Sequence, residues 1–323
     1  MILNYLGILA GLALLVYGAD RFVDGAASIA RYLGMPPLLI GLTIVGMATS
    51  APEILVGVVA ALEGKTEIAI GNAIGSNIAN IGLVLGFTVM LMPVTIASQT
   101  LKREFFIMFS SIVLAFGLMW DDQSLSHLDA VILLAGLIVA ILSVIVLSKK
   151  TAKTDPLLSE FESELPETLP GKSNIGKSIF LFFLGLGLLL AGANLLVECA
   201  VVVARHFGLS DLIIGLTVIA IGTSLPELAA SITAVKKDEA DIAIGNVIGS
   251  NMFNMLAVIG IPGMIHATDF DRLVLVRDFP VMIGLSLLMG WMVFIHGSGK
   301  FDRIEGSVLF LCFIAYQYWL FSG

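Results

Sequence analysis

Apolar runs fill most of the chain, and the polar stretches between them are short. Ten runs can be marked, at about 2–22, 36–62, 67–92, 103–120, 127–148, 176–202, 210–235, 241–265, 276–296 and 303–321. Each is near the roughly 20 residues that a helix needs to cross a bilayer. The exception among the connections is 149–175, "KKTAKTDPLLSEFESELPETLPGKSNI", which is charged, acidic in its middle and carries Pro156, Pro166 and Pro170. Such a composition predicts a flexible linker rather than a packed unit. The pattern therefore predicts an all-α polytopic membrane protein with ten transmembrane helices, five in residues 1–148 and five in 176–323, joined by the 149–175 linker.

Composition agrees. Of 323 residues, 58% are hydrophobic and 13% charged, and mean hydropathy is +1.01, against about 25% charged in soluble domains. The net charge of −8 comes without a basic stripe, which argues against a nucleic-acid partner and leaves the lipid bilayer as the surroundings. If the N-terminus lies outside, the inner connections hold 13 Lys and Arg and the outer ones 4. This bias puts both termini outside and the linker in the cytoplasm. The opening "MILNYLGILAGLALLVYGAD" lacks a basic start and an A-x-A site, so it is expected to remain as the first span. "GKSNIGKS" (171–178) fits a phosphate-loop pattern, but "PETLP" precedes it and a membrane span follows. No nucleotide is expected there. Cys199 and Cys312 lie in apolar runs, and His127, His206, His266 and His296 have no ligand spacing, so no resident cofactor is expected.

Two of the apolar runs are interrupted by the same polar string. Residues 48–53 read "ATSAPE" and 222–227 read "GTSLPE". A shift of 174 residues lays "GADRFVDGAASIARYLGMPPLLIGLTIVGMATSAPE" (18–53) over "GANLLVECAVVVARHFGLSDLIIGLTVIAIGTSLPE" (192–227). Without a gap it also lays "EIAIGNAIGSNIANI" (67–81) over "DIAIGNVIGSNMFNM" (241–255). This is an internal duplication. Five spans per copy is an odd number, so the second copy enters the membrane from the other side. Inverted repeats with interrupted helices predict a secondary transporter whose site lies at the midplane between the copies.

The residue types in the two strings suit a hard cation. Pro52 and Pro226 cannot donate to the carbonyls of Ala48 and Gly222, and each ring is expected to bend its helix and leave backbone oxygen in need of a partner. Thr49 with Glu53, and Thr223 with Glu227, are spaced i, i+4 on one helix face, and Ser50 and Ser224 lie one position along. In the second element, Gly71, Gly75, Gly245 and Gly249 permit close approach or an unwound turn. Ser76 with Asn80, and Ser250 with Asn254, repeat the i, i+4 spacing. Carboxylates, amides, hydroxyls and bare carbonyls form an all-oxygen set fit for calcium, which takes about six to eight oxygens. A midplane glutamate is costly enough to require a use. Asp20, Asp24 and Glu198, near span ends, read as solvated or interfacial.

With "GLTIVGMATSAPE…GNAIGSNIAN" and "GLTVIAIGTSLPE…GNVIGSNMFN", the chain closely resembles the calcium/cation antiporter superfamily over its whole length, and most of all the prokaryotic sodium/calcium exchangers. The resemblance implies a bacterial or archaeal cytoplasmic membrane and exchange of Ca2+ for Na+ by alternating access. It implies that Glu53 and Glu227 are shared by calcium and sodium. Thr49, Ser50, Ser76, Thr223, Ser224 and Ser250, with carbonyls near Gly46 and Ala220, would complete flanking sodium sites, and Asn80 and Asn254 would close the middle. The potassium-dependent branch usually carries aspartate where Asn254 stands, so potassium dependence is not expected. The fixed charge of −2 leaves open a proton-coupled cation antiporter. A remote alternative is an intramembrane hydrolase built on two carboxylates, but no nucleophile accompanies them and no enzyme activity is expected. Each chain holds both half-sites, so a monomer should suffice.

Overall fold

The computed structural model describes residues 1–95, 99–120, 123–151, 175–208, 220–296 and 300–322. The described helices are α1 (Ile2–Leu33), α2 (Pro37–Leu62), α3 (Thr66–Leu91), α4 (Gln99–Trp120), α5 (His127–Thr151), α6 (Ile175–His206), α7 (220–236), α8 (Ala240–Ile265), α9 (274–296) and α10 (Arg303–Ser322). Eight of them, α1 to α6, α8 and α9, are long and apolar enough to cross a membrane. The protein is an all-helical polytopic membrane protein. Most of the linker, the first half of the GKSNIGKS string and the first ten residues of the seventh apolar run (210–219) lie outside the described residues.

Two helices run further than their apolar runs. The first run stops near residue 22, where Asp20, Arg21 and Asp24 accumulate, but α1 continues to Leu33. Charges do not end a helix whose backbone is internally bonded, and both aspartates find an ion-pair partner in Lys237. The helix stops at Gly34, whose φ of 59° is the left-handed conformation that caps a helix cheaply only with glycine. The equivalent Gly208 does the same after α6, with φ of 78°. At the next turn the copies diverge. Gly64 has φ of 73°, and its equivalent Asp238 holds a φ of 60°.

α1 and α6 lie antiparallel along their length, glycine against backbone. A methyl group at Gly11 would sit 2.8 Å from the Gly192 carbonyl oxygen, and one at Gly192 would sit 2.8 Å from the Gly11 oxygen. Gly18 meets Leu189, at 2.5 Å from its nitrogen, and Gly185 meets Phe22. Gly25 meets Phe182, whose ring lies 4.7 Å from that of Phe22. Small residues at every seventh position thus let two long helices approach to backbone contact, where lipid offers no hydrophobic drive to bring them together.

Two apolar cores result. The larger runs through α3, α4, α8 and α9 and takes in Ile74, Ile78, Met108, Ile112, Met252, Met255 and Phe279. The smaller lies where the second half of α1 meets α2, α7 and α8. There Phe22, Ala26 and Ala30 pack with Ile40, Val45, Ala230, Ala234 and Ile242. Two short antiparallel ribbons tie the halves of the chain together. β1 (Val94–Thr95) pairs with β4 (Lys300–Phe301), and β2 (Ser124–Leu125) with β3 (Thr268–Asp269).

The glycine stripe is directly testable. Gly185→Val should lower the thermal midpoint in detergent, since overpacking a tight contact costs about 1–3 kcal/mol. Gly187→Val, on the same helix with nothing within 4 Å, should leave the midpoint unchanged.

Candidate cation site

Both polar strings break their helices at the serine. In α2, Ser50 donates its N–H to the Gly46 carbonyl at 3.0 Å, and its own carbonyl accepts from Ile54 at 3.1 Å. In α7, Ser224 donates to Ile221 at 3.1 Å and accepts from Leu228 at 3.1 Å. Each interruption falls within the turn where its proline was expected to bend the helix. Pro52 and Pro226 sit in the first turn of a new helix, Ala51–Leu62 or Leu225–Lys236, where a missing N–H costs no intrahelical bond. That same first turn holds Glu53 or Glu227. A carboxylate there meets the positive end of a helix dipole, which offsets part of its burial.

The second element is also irregular at its functional residue. α3 and α8 are regular up to Ala79 and Phe253, then widen into π-helical turns that begin at Asn80 and Asn254. Such turns shift helix register and are frequent at functional sites. The glycines expected to allow close approach do so in α8. Side chains at Gly245 and Gly249 would run into the carbonyls of Leu38 and Leu42. Gly71 and Gly75 meet no described atom within 4 Å; the residues equivalent to Leu38 and Leu42, at 212 and 216, lie outside the described set.

The elements cross in pairs. The helix carrying Glu53 packs on the π-turn of Asn254, and the helix carrying Glu227 packs on the π-turn of Asn80. Glu53 and Glu227 lie within electrostatic reach of each other. Thr49, Ser50, Glu53, Ser76, Asn80, Ser224, Glu227, Ser250 and Asn254 are all buried, while Thr223 is half-buried. Ala220 opens the short helix Ala220–Thr223 that leads to the break.

Part of this polar set is bonded within itself. The Thr49 hydroxyl donates to Asn246 Oδ1 at 3.0 Å and lies 3.2 Å from the Ser250 hydroxyl. Both hydroxyls also reach the Gly46 carbonyl at 3.4 Å. Asn246 in turn donates to Ser231 at 3.4 Å. On the other side, Asn80 Nδ2 donates to Asn251 Oδ1 and Asn77 Nδ2 donates to the Asn251 carbonyl, both at 3.1 Å.

Six further oxygens of the set are not bonded. Ser50 Oγ, Ser224 Oγ, Glu53 Oε2, Glu227 Oε2, Asn80 Oδ1 and Asn254 Oδ1 are buried and have no hydrogen-bond partner among the described residues. These are three pairs of repeat-equivalent atoms, and all are oxygens. A buried acceptor without a donor costs about 1–3 kcal/mol, and more when charged. Six together, two of them carboxylate oxygens, fit a hard cation of Ca2+ or Na+ type. Among the described residues no three His, Cys, Asp or Glu side chains come together as a metal group, which sets the site apart from thiolate or imidazole centres.

Sequence reasoning missed Asn77, Asn246, Asn251 and Ser231. Three of them carried a signal, because "GNxIGSNxxN" repeats Asn72 as Asn246 and Asn77 as Asn251. Ser231 carried none, since its equivalent is Gly57.

Comparison with known proteins gives a consistent answer. A family model described as sodium/calcium exchanger protein matches residues 3–146 and 177–322. CaxA from Alkalimonas amylolytica is 46% identical over 324 residues, covering 100% of both chains. The sodium/calcium exchanger MaX1 from Methanosarcina acetivorans is 32% identical, covering 98% of each chain. The solved structure of the sodium-calcium exchanger NCX_Mj soaked with 2.5 mM Na+ and 0.1 mM Ca2+ superposes with a TM-score of 0.82 at 30% identity, over 98% of this chain and 97% of that one. With its paired break helices and two buried glutamates, the chain belongs to the sodium/calcium exchanger family of membrane transporters.

Proposed function

We propose that the chain is a secondary antiporter that exchanges Ca2+ for Na+ at a site between two inverted five-helix repeats. The observation that carries this reading is the set of six buried, partnerless oxygens in three repeat-equivalent pairs. Inversion is supported by reciprocal packing. Gly11 meets Gly192, which is the equivalent of Gly18, while Gly18 lies against Gly185, the equivalent of Gly11. The ribbons obey the same exchange, since β3 lies 174 residues after β1. On this reading ten helices cross the membrane, and the 13-to-4 cation bias puts both termini outside the cytoplasmic membrane. A single copy holds the full site.

Glu53 and Glu227 supply two negative charges, which one Ca2+ or two Na+ neutralise. Ser50 and Ser224 add hydroxyl oxygens, and Asn80 and Asn254 add amide oxygens. Asn251 decides which atom Asn80 presents. By accepting from Nδ2, it leaves Oδ1 for the cation. Thr49 and Ser250, already sharing the Gly46 carbonyl, are uncharged and suit a flanking monovalent ion such as sodium, as do Ser76 and Thr223 with the backbone near Ala220. Opposed access follows if ions of either kind bind the same carboxylates and only a filled site lets the repeats change facing. Coupling to protons is the second reading. It is favoured by Oε2 of each glutamate, a bare acceptor on which a proton can replace a cation.

Sodium-loaded proteoliposomes should take up radioactive calcium when diluted into sodium-free buffer, and Glu227→Gln should abolish that uptake. Uptake that followed a pH gradient with sodium absent would move the assignment to proton coupling. Asn251→Ala, which frees Asn80 to turn its nitrogen inward, should raise the calcium concentration for half-maximal uptake roughly tenfold. The sodium dependence should change much less, which a general loss of folding would not produce.

A further inference from the structure

Asn77 and Asn251 are the same residue of the two copies, 174 positions apart, and they are bonded to each other. A side chain bonded to its own repeat equivalent lies where the copies meet. Both are fully buried. Each stands three residues before the asparagine that opens a π-helical turn, Asn80 or Asn254. The packing around them is paired as well. Thr66–Ala79, which carries Asn77, packs on the π-turn Asn254–Val258, and Ala240–Phe253, which carries Asn251, packs on Asn80–Leu85. α4 lies on Ala240–Phe253, and the Phe279–Trp291 part of α9 lies on Thr66–Ala79. These two helices bring the buried Met108 and its repeat equivalent, the buried Met282.

These paired surroundings hold unpaired bonds. Asn251 is engaged at every polar atom of its side chain. Its Oδ1 accepts from Asn80 Nδ2 at 3.1 Å, and its Nδ2 lies 3.8 Å from Met108 Sδ. Its carbonyl accepts from Asn77 Nδ2 at 3.1 Å. Asn77 only donates. Its Oδ1 is the equivalent of the atom that holds Asn80, yet it is buried and has no hydrogen-bond partner among the described residues. Turning the Asn77 amide over would set its oxygen against the Asn251 carbonyl, so the bare atom is fixed by the bond beside it. The breaks differ in the same sense of one chemistry in two conformations. The Ser50 N–H reaches four residues back, to Gly46, and the Ser224 N–H three, to Ile221.

We propose that Asn77 and Asn251 are positioning residues that form an amide switch where the copies meet, and that their bonds exchange when the protein changes facing. In the arrangement described, Asn251 clamps Asn80 and Asn77 leaves Asn254 unclamped. In the other arrangement Asn77 Oδ1 accepts from Asn254 Nδ2, the Asn77 carbonyl accepts from Asn251 Nδ2, and Met282 stands in for Met108. The inference rests on the alternating-access reading, in which the two facings of an inverted pair are related by exchanging the conformations of its copies. Both arrangements make the same bonds, and a halfway arrangement makes fewer. The switch therefore has two states of similar energy with a barrier between them. It holds one amide oxygen of the cation site rigid at a time, first that of Asn80 and then that of Asn254.

The test compares two substitutions that keep the acceptor and lose the donor. Asn77→Asp removes the donor that the described arrangement uses, and Asn251→Asp removes the donor that the other arrangement needs. Amide hydrogen exchange would be followed by mass spectrometry on the full chain in lipid nanodiscs, free of calcium and sodium. The readout is the ratio of exchange in the turn 62–68 to that in its equivalent, 236–242, which the inverted plan puts at opposite faces. Asn77→Asp should move this ratio about fivefold one way and Asn251→Asp about fivefold the other. Both add the same charge at equivalent positions, so a shift of both in one direction, or of neither, would overturn the switch. Met108→Leu and Met282→Leu keep the core volume and should show the same opposition at about twofold. They decide the matter if the aspartate variants do not fold. Calcium uptake by the unsubstituted chain tests the exchange reading separately. Uptake without opposed shifts would sink the switch alone, and opposed shifts without uptake would sink the exchange reading and leave the switch standing.

Discussion

Two carboxylates buried inside a membrane protein must have positive charge brought to them, and most of the irregular structure here answers that requirement. Helix dipoles supply part of it, because α2 and α7 are cut at serine and restarted so that Glu53 and Glu227 fall in a first turn. The rest must come from something mobile, since among the described residues no Lys or Arg side chain pairs with either glutamate. A fixed cation partner would satisfy the site permanently and leave nothing to exchange. Leaving six oxygens without donors makes the empty site unfavourable and suits it to a cation.

The frame around those oxygens is symmetric near the carboxylates and asymmetric away from them. Around the carboxylates the two copies carry the same threonine, serine, glutamate and asparagine residues, with Ser231 against Gly57 as an exception. Away from them the copies drift apart, and the differences concentrate in charge: Lys237 against Glu63, Glu239 against Lys65 and Asp20 against Asn194. Duplication gave two sets of one chemistry, and the copies differ in charge at the turns that follow their break helices.

Much of this was legible in the chain itself. The 174-residue repeat located the break helices and the oxygen-bearing residues, because each occurs twice in register. Helix ends were less legible. Hydropathy stops at Asp20, whereas the backbone of α1 follows its own hydrogen bonds to Gly34, and the ion pairs that make this tolerable link residues 217 apart. Asn251 and Asn246 were visible as repeated letters but not as parts of the site, since neither belongs to the i, i+4 pattern that selected Ser250 and Asn254. The role of Ser231 has no trace in sequence, because its equivalent is a glycine.

The two short ribbons give this architecture a mechanical character. β1 with β4, and β2 with β3, stitch one half of the chain to the other by backbone hydrogen bonds at two separate places. The described joint between α1 and the bundle has no such ladder and rests on alanines, a phenylalanine, a few ion pairs and one hydrogen bond from Lys237 to the Asp20 carbonyl. Backbone ladders hold register, whereas side-chain contacts can slide and re-form. The ribbons thus fix the two halves in register, while glycine-to-backbone packing makes α1 and α6 one stiff unit.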